Sequence, residues 1–253
     1  MVAPTPVSAL LHAVAVVKVG VFCVVRVVTG IFGMPLIFNT SLGFYICVLA
    51  SITILVASLI ALTQDNLKRL LAFSTVGQLS YIILGVGIAN YLGVFGSVLH
   101  IVMHAFGKIT LFFCAGAIYV ASGKKYISQM SGIGRVMPYT MTAFMIGAFS
   151  IAGLPGFGGF ISKWHLGLGA IEAGHIWIVV VLIVSSFLNI CYFLPIIYKA
   201  FFLPLADSDS ELTEPSLCTY LPPVITAFCS VLLFFLYPYF KILIDMFLIG
   251  SGQ

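Results

Sequence analysis

Charge is what this sequence has least of. Asp, Glu, Lys and Arg make up 7% of its 253 residues, where a soluble domain carries about 25%. With 62% apolar residues, water is excluded as the solvent for most of the folded surface. There is no basic run and no acidic block, and the net charge of +4 comes from few groups. Nucleic acid is therefore excluded as a partner. Paired cysteines are also missing: the six (Cys23, Cys47, Cys114, Cys191, Cys218, Cys229) are scattered singly, without metal or redox spacing. They read as small packing residues. No cofactor motif appears, so no cofactor is expected. Met1-Val2-Ala3-Pro4 lacks the charged region, short apolar stretch and cleavage site of a signal peptide, so the first helix is expected to stay.

What is present is long apolar runs. About 20 residues of helix cross the ~30 Å hydrocarbon layer, so this length has room for roughly seven spans and no extramembrane domain. The expected helices are A at about 5–28, B at 41–62, C at 68–89, D at 93–121, E at 138–170 with an interruption, F at 175–203 and G at 221–248. The runs lack the alternation of a membrane barrel, and helices satisfy their own backbone groups in lipid. The fold class is thus all-α: a polytopic transmembrane bundle forming one domain.

Basic residues near span ends stay on the cytoplasmic side. Lys68, Arg69, Lys124, Lys125, Arg135 and Lys199 fall on one side, against Arg26 and Lys241 on the other. The expected topology has the N-terminus cytoplasmic and the C-terminus outside. The polar segment 206–216, with Asp207, Asp209, Glu211 and Glu214, reads as a solvated cytoplasmic loop.

The few ionisable groups inside apolar runs carry the functional signal. Helix A contains His12 and Lys18, the latter about 20 Å along the helix by the rise per residue. An amine near the bilayer centre costs about 2.5–3.5 kcal/mol on the most lenient insertion scale, so packing alone does not explain it. Snorkelling to an interface competes with this reading, but the depth weighs against it. Helix D carries His100, His104 and Lys108 at a spacing of four and four, which stacks them on nearly one face over ~12 Å. Such a row can pass protons along intervening water, because histidine changes charge near neutral pH and burial brings lysine toward that range. The competing readings are satisfied core histidines or a metal site. With no carboxylate or thiol nearby on the helix and a Lys as third member, no metal is expected.

Helix E is broken by Gly153-Leu154-Pro155-Gly156-Phe157-Gly158-Gly159, and Lys163 follows directly. Broken helices in transporters bring half-helix ends to the midplane, where they bind or stabilise ions. The new N-terminus is expected to set a positive partial charge beside the Lys163 amine. The alternative is a surface loop between two short helices. All six bases lie in apolar segments, while the acids are read as lying outside them, Asp65 and Glu172 being nearest at helix ends. Buried cations without counter-charge are unfavourable. A chain supplying an intramembrane Glu is therefore expected as a partner.

At these residues the sequence resembles the antiporter-like subunit family shared by the proton-pumping arm of respiratory complex I and the Mrp-type cation/proton antiporters. The matching stretches are PTPVSALLHA at 4–13, DNLKRLLAFSTVGQLSY at 65–81, HIVMHAFGKITLFFCAG at 100–116 and GLPGFGGFISK at 153–163. The resemblance implies that Lys18 corresponds to the lysine of the first half-channel. It implies that Lys108 is the central lysine with His100 and His104 beside it, and that Lys163 is the exit residue of the second half-channel. A basic residue there resembles the largest subunit of complex I and the D-type Mrp subunits. The family has about fourteen helices with two inverted five-helix repeats. By that pattern 1–30 is the last helix of the preceding repeat, 41–204 the second repeat broken near 153–159, and 221–248 the final helix. By the same resemblance the first repeat's buried glutamate and its lysine would lie upstream of Met1, so the sequence given is expected not to hold a whole channel pair, whether it is a split-gene product, a separately encoded half-subunit or an incomplete sequence.

The resulting expectation is the C-terminal half of a proton-translocating subunit, at most a membrane subunit of a translocating NADH-quinone oxidoreductase or related complex, with redox sites in other chains. Its partners would be other membrane subunits, the lipid bilayer and protons, possibly Na+, in an inner or plasma membrane. Na+/H+ exchange is the alternative of the same kind. A structural subunit that completes a membrane arm without conducting is the alternative of another class, and its sign would be tolerance of Lys108 and Lys163 to substitution.

Overall fold

The computed structural model describes residues 15–205 and 212–250. His12, Asp207, Asp209 and Glu211 lie outside the described residues. The remainder is a helical bundle in the order α1 (Val16–Arg26), α2 (Met34–Asn39), α3 (Leu42–Leu62), α4 (Leu67–Gly87), α5 (Tyr91–Ser122), α6 (Ile133–Val136), α7 (Pro138–Ala152), α8 (Gly158–Glu172), α9 (Ile176–Phe202) and α10 (Leu217–Gly250). Five of these, α3, α4, α5, α9 and α10, are long and apolar enough to cross a membrane. Helices α7 and α8 are the two halves of the broken helix expected at 138–170. The described part of helix A continues from α1 into a π-helical turn, Val27–Phe32, which the apolar periodicity does not distinguish from α-helix.

Local chemistry explains the ends. Asn66 and Asn90 cap α4 and α5, their side chains accepting from the N–H groups of Arg69 at 3.2 Å and Gly93 at 2.8 Å. Gly123 ends α5 in the left-handed conformation, with φ +68°. Helix α5 is the bundle's axis and packs against α4, α7, α8 and α10. Its inward residues Leu111, Phe112, Cys114 and Ile118 meet Met141, Phe144 and Ala148 of α7 in the largest core cluster. Outward, large apolar side chains such as Ile183 and Phe187 of α9 or Phe228 and Phe235 of α10 are exposed. Such continuous apolar faces suit lipid, not water.

The two ends of the bundle are recognisable. At one, Leu67 N–H donates to the Lys125 carbonyl at 3.1 Å, Gly132 N–H to the Lys199 carbonyl at 2.9 Å, and Ser128 donates to both oxygens of Asp65. At the other, the Asn90 amide donates to the Gly169 carbonyl at 2.8 Å and to Glu172 at 3.1 Å.

Two expectations are corrected. Glu214 is not simply loop: its Oε1 accepts from Thr140 N–H at 2.9 Å and Thr140 Oγ1 at 2.6 Å, closing the N-terminal turn of α7 from a distant segment. An acid does lie within a spanning helix. Asp245 of α10 accepts a hydrogen bond from the Tyr91 hydroxyl, at the level where α5 begins. Lys18 faces inward at 6% exposure, while Val16 and Val19 of the same helix are exposed.

Candidate functional site

The central element of the site is α5, whose periodicity turns His100, His104 and Lys108 into the bundle. All three are buried, Lys108 with 0% exposure. The rings of His100 and His104 stack with centroids 5.7 Å apart and planes 11° from parallel. His100 Nδ1 is hydrogen-bonded to Ser162 Oγ at 2.8 Å, and its ring lies 5.6 Å from that of Tyr81. Lys108 Nζ donates to the Leu71 carbonyl at 3.1 Å and to the Ser74 hydroxyl, both on α4.

Ser162 leads to Lys163 on α8. The helix break explains where that amine goes. A side chain on a helix leans toward the N-terminus, so Lys163 reaches back across the gap and donates to the Ile151 and Ala152 carbonyls at 3.0 Å each, with Ser186 Oγ at 3.2 Å. These carbonyls are the unsatisfied C-terminal groups of α7. The expected positive partial charge from the α8 N-terminus is thus corrected: the amine meets the negative end of α7 instead. A β-carbon at Gly159 would collide with the Ser150 carbonyl oxygen, so the close approach of α8 to α7 requires glycine there.

The structure therefore places His100, His104 and Lys108 together on the buried face of α5, with His100 bonded to Ser162, the neighbour of Lys163 on α8. Lys18 is buried on α1, which packs against α4. His12 lies outside the described residues. The hydrogen-bond partners of Lys108 and Lys163 are hydroxyls and main-chain carbonyls. Buried polar atoms without a protein partner among the described residues include Lys18 Nζ, Gln78 Oε1, His100 Nε2, both ring nitrogens of His104 and Asn189 Nδ2. Buried polar groups generally find protein or water partners. No group of three or more His, Cys, Asp or Glu able to hold a metal occurs among the described residues.

Sequence reasoning missed the uncharged members: Ser74 and Tyr81 on α4, and Ser185, Ser186, Asn189 and Tyr192 on α9. The signal existed as polar residues at helical spacing on the inward faces of two apolar helices.

The family profile described as "NADH:quinone oxidoreductase/Mrp antiporter, TM" matches residues 1–189. NADH-quinone oxidoreductase subunit N of Desulforudis audaxviator (strain MP104C) is 41% identical over 167 residues, covering 66% of this chain and 33% of that protein. A probable K(+)/H(+) antiporter subunit of Rhizobium meliloti (strain 1021) is 39% identical over 173 residues, covering 68% and 17%. The chain thus spans a third or less of the length of these relatives. Respiratory complex I from Thermus thermophilus with bound NADH contains a chain of the same fold, with TM-score 0.81 at 23% identity, covering 94% of this chain and 49% of that one. With the profile matching three-quarters of its length, the chain belongs to the NADH:quinone oxidoreductase/Mrp antiporter transmembrane family.

Proposed function

We propose that the chain is the C-terminal half of a proton-translocating antiporter-like subunit in a multisubunit ion-pumping complex of an inner or plasma membrane. Protons pass along Lys18, His12, His100, His104, Lys108 and Lys163, and residues 41–204 act as the second repeat. The observation that carries this reading is Lys108: a fully buried amine, held by a hydroxyl and a carbonyl, in line with two stacked histidines. An amine so placed is unfavourable for stability alone, and as a proton carrier it has a reason to be there. The relatives favour the same reading, being named as subunits of an oxidoreductase and of an antiporter.

The test is proton movement in native membranes bearing Lys108→Ala or Lys108→Arg. The methyl leaves the hydrated row without a carrier, and the guanidinium does not release its proton in this range. Both are expected to lower coupled proton movement about 100-fold, the low end for a lost proton-transfer group, with assembly retained. Normal pumping by assembled Lys108→Arg would identify a non-conducting structural subunit.

A second reading, cation/proton exchange, is favoured by the similarity to the Rhizobium meliloti K(+)/H(+) antiporter protein. Proton movement that requires Na+ or K+ on the opposite side of the membrane would select it.

A further inference from the structure

Helices α5 and α8 approach closely where α5 carries a glycine: a β-carbon on Gly96 would stand 2.9 Å from Leu166 N and 3.1 Å from the Ser162 carbonyl oxygen. One turn further along α5, His100 comes against the side chain of Ser162. His100 Nδ1 lies 2.8 Å from Ser162 Oγ, and Ser162 donates its hydroxyl hydrogen to the Gly159 carbonyl at 3.1 Å, within α8. Both residues are buried. The imidazole also packs on the ring of His104, with centroids 5.7 Å apart, and on that of Tyr81 at 5.6 Å. His100 Nε2 is buried and has no protein partner among the described residues. The two nitrogens of one ring thus stand in different surroundings.

Resting on the proton-translocating reading above, we propose that Ser162 is a positioning residue for His100: it holds the neutral ring as the Nδ1–H tautomer, and so makes Nε2 the nitrogen at which His100 takes up and returns a proton. In a neutral imidazole one nitrogen carries the hydrogen and the other accepts, and the hydrogen bond made by one decides the role of the other. The Ser162 hydroxyl has a single hydrogen. It is committed to the Gly159 carbonyl, as helical hydroxyls commonly are to a carbonyl three or four residues back. The oxygen is then the acceptor toward His100, and Nδ1 is the donor. A proton arriving at Nε2 makes the imidazolium and leaves the Nδ1–H bond to Ser162 in place. Its departure from Nε2 restores the starting tautomer, with every other proton where it was. Departure through Nδ1 is closed, because the hydrogen that Ser162 would have to release points at a main-chain carbonyl, an acceptor that does not pass it on. Ser162 precedes Lys163, so the turn of α8 that carries the Lys163 amine to the carbonyls of Ile151 and Ala152 also sets which nitrogen of His100 exchanges.

The tautomer is read directly by nitrogen NMR of the full chain, carrying isotope-labelled histidine and reconstituted in lipid, with His100→Gln as the blank that picks out the His100 signals among those of the five histidines. The wild type should show a protonated Nδ1 and a bare Nε2. Ser162→Ala removes the acceptor, and the tautomer ratio should shift about tenfold toward Nε2–H, the change that one lost hydrogen bond makes in an equilibrium. Ser162→Thr keeps the hydroxyl and should keep the tautomer. In native membranes holding the assembled complex, coupled proton movement should follow the population of the working tautomer, falling about tenfold in Ser162→Ala and returning in Ser162→Thr. A merely structural role for Ser162 would lower activity without moving the tautomer. A wild-type ring protonated at Nε2, or an unchanged tautomer in Ser162→Ala, would overturn the proposal, and the wild-type spectrum decides even if no variant assembles. Full pumping by Ser162→Ala alongside a dead Lys108→Ala would overturn the role of the tautomer and leave the wider reading intact. Full pumping by both would overturn the wider reading too.

Discussion

Gly153 and Lys163 share one corner of the helix break: a β-carbon on Gly153 would stand 2.9 Å from Cδ of Lys163 and 3.3 Å from its Nζ. The glycine has two tasks. It ends α7 with φ +85°, a conformation that L side chains adopt with strain. It also leaves the space along which the lysine reaches the carbonyls of Ile151 and Ala152.

Gly153→Ala should therefore act mainly on Lys163. Backbone strain at such a site is on the order of 1 kcal/mol, too little to prevent assembly, whereas the methyl displaces the amine from its carbonyls. Proton movement should fall at least about tenfold, with normal complex abundance on native gels. Full proton movement in the assembled variant would mean that the position of the Lys163 amine does not matter.

Much of this architecture was legible because ionisable groups and helix breakers are rare in apolar runs. Lys108 and Lys163 stand out for that reason, and Gly153-Leu154-Pro155-Gly156 announced the division between α7 and α8. Hydroxyls give no such signal. Thr75 and Ser58 satisfy themselves on the carbonyls four residues earlier, as hydroxyls in spanning helices commonly do. Ser74 likewise donates to the Leu71 carbonyl, and only the crossing of α4 and α5 selects it as a partner of Lys108. The partners of Glu214 and Asp245 are equally hidden in the sequence. A carboxylate's partner, here Thr140 or Tyr91, lies far along the chain. The inward turn of Lys18 depends on how α1 packs against α4, which helical spacing alone leaves open.

The Glu214 contact is testable as stability. A carboxylate accepting from the first turn of a helix acts as a cap supplied from outside, and losing such a cap costs about 1 kcal/mol. Glu214→Ala should lower the apparent Tm of the purified chain in detergent by about 2–4 °C. Glu214→Gln, which keeps an acceptor, should lose less. Equal Tm values for wild type and Glu214→Ala would show that the segment before α10 does not anchor α7.

The basic residues make a topological prediction. Lys68, Lys125 and Lys199 lie at the bundle end that is tied together by the Leu67–Lys125 and Gly132–Lys199 hydrogen bonds. Positive residues remain on the cytoplasmic side, so Asp65 should face the cytoplasm. A reporter fused after Gln253 should be active only outside. Activity restricted to the cytoplasm would reverse the assignment.

The last prediction is that this chain does not transport alone. Proton pathways through membranes usually pair ionisable groups with one another, yet Lys108 and Lys163 are held by hydroxyls and carbonyls, and Asp245 is engaged by Tyr91 at the end of α5. The Lys18 amine, buried without a protein hydrogen-bond partner among the described residues, is the point where a counter-charge is most needed. The exposed side of α1, with Val16 and Val19, offers an apolar face for a neighbouring helix beside that amine. A second membrane chain carrying an intramembrane Glu, docked along α1, would bring a carboxylate toward Lys18 and continue the row beyond it. The purified chain in sealed vesicles with a pH-sensitive dye should then show no proton flux under an imposed potential or sodium gradient, and flux should return only when the partner is reconstituted with it. Flux from the chain alone, abolished by Lys163→Ala, would show that its own residues complete the pathway.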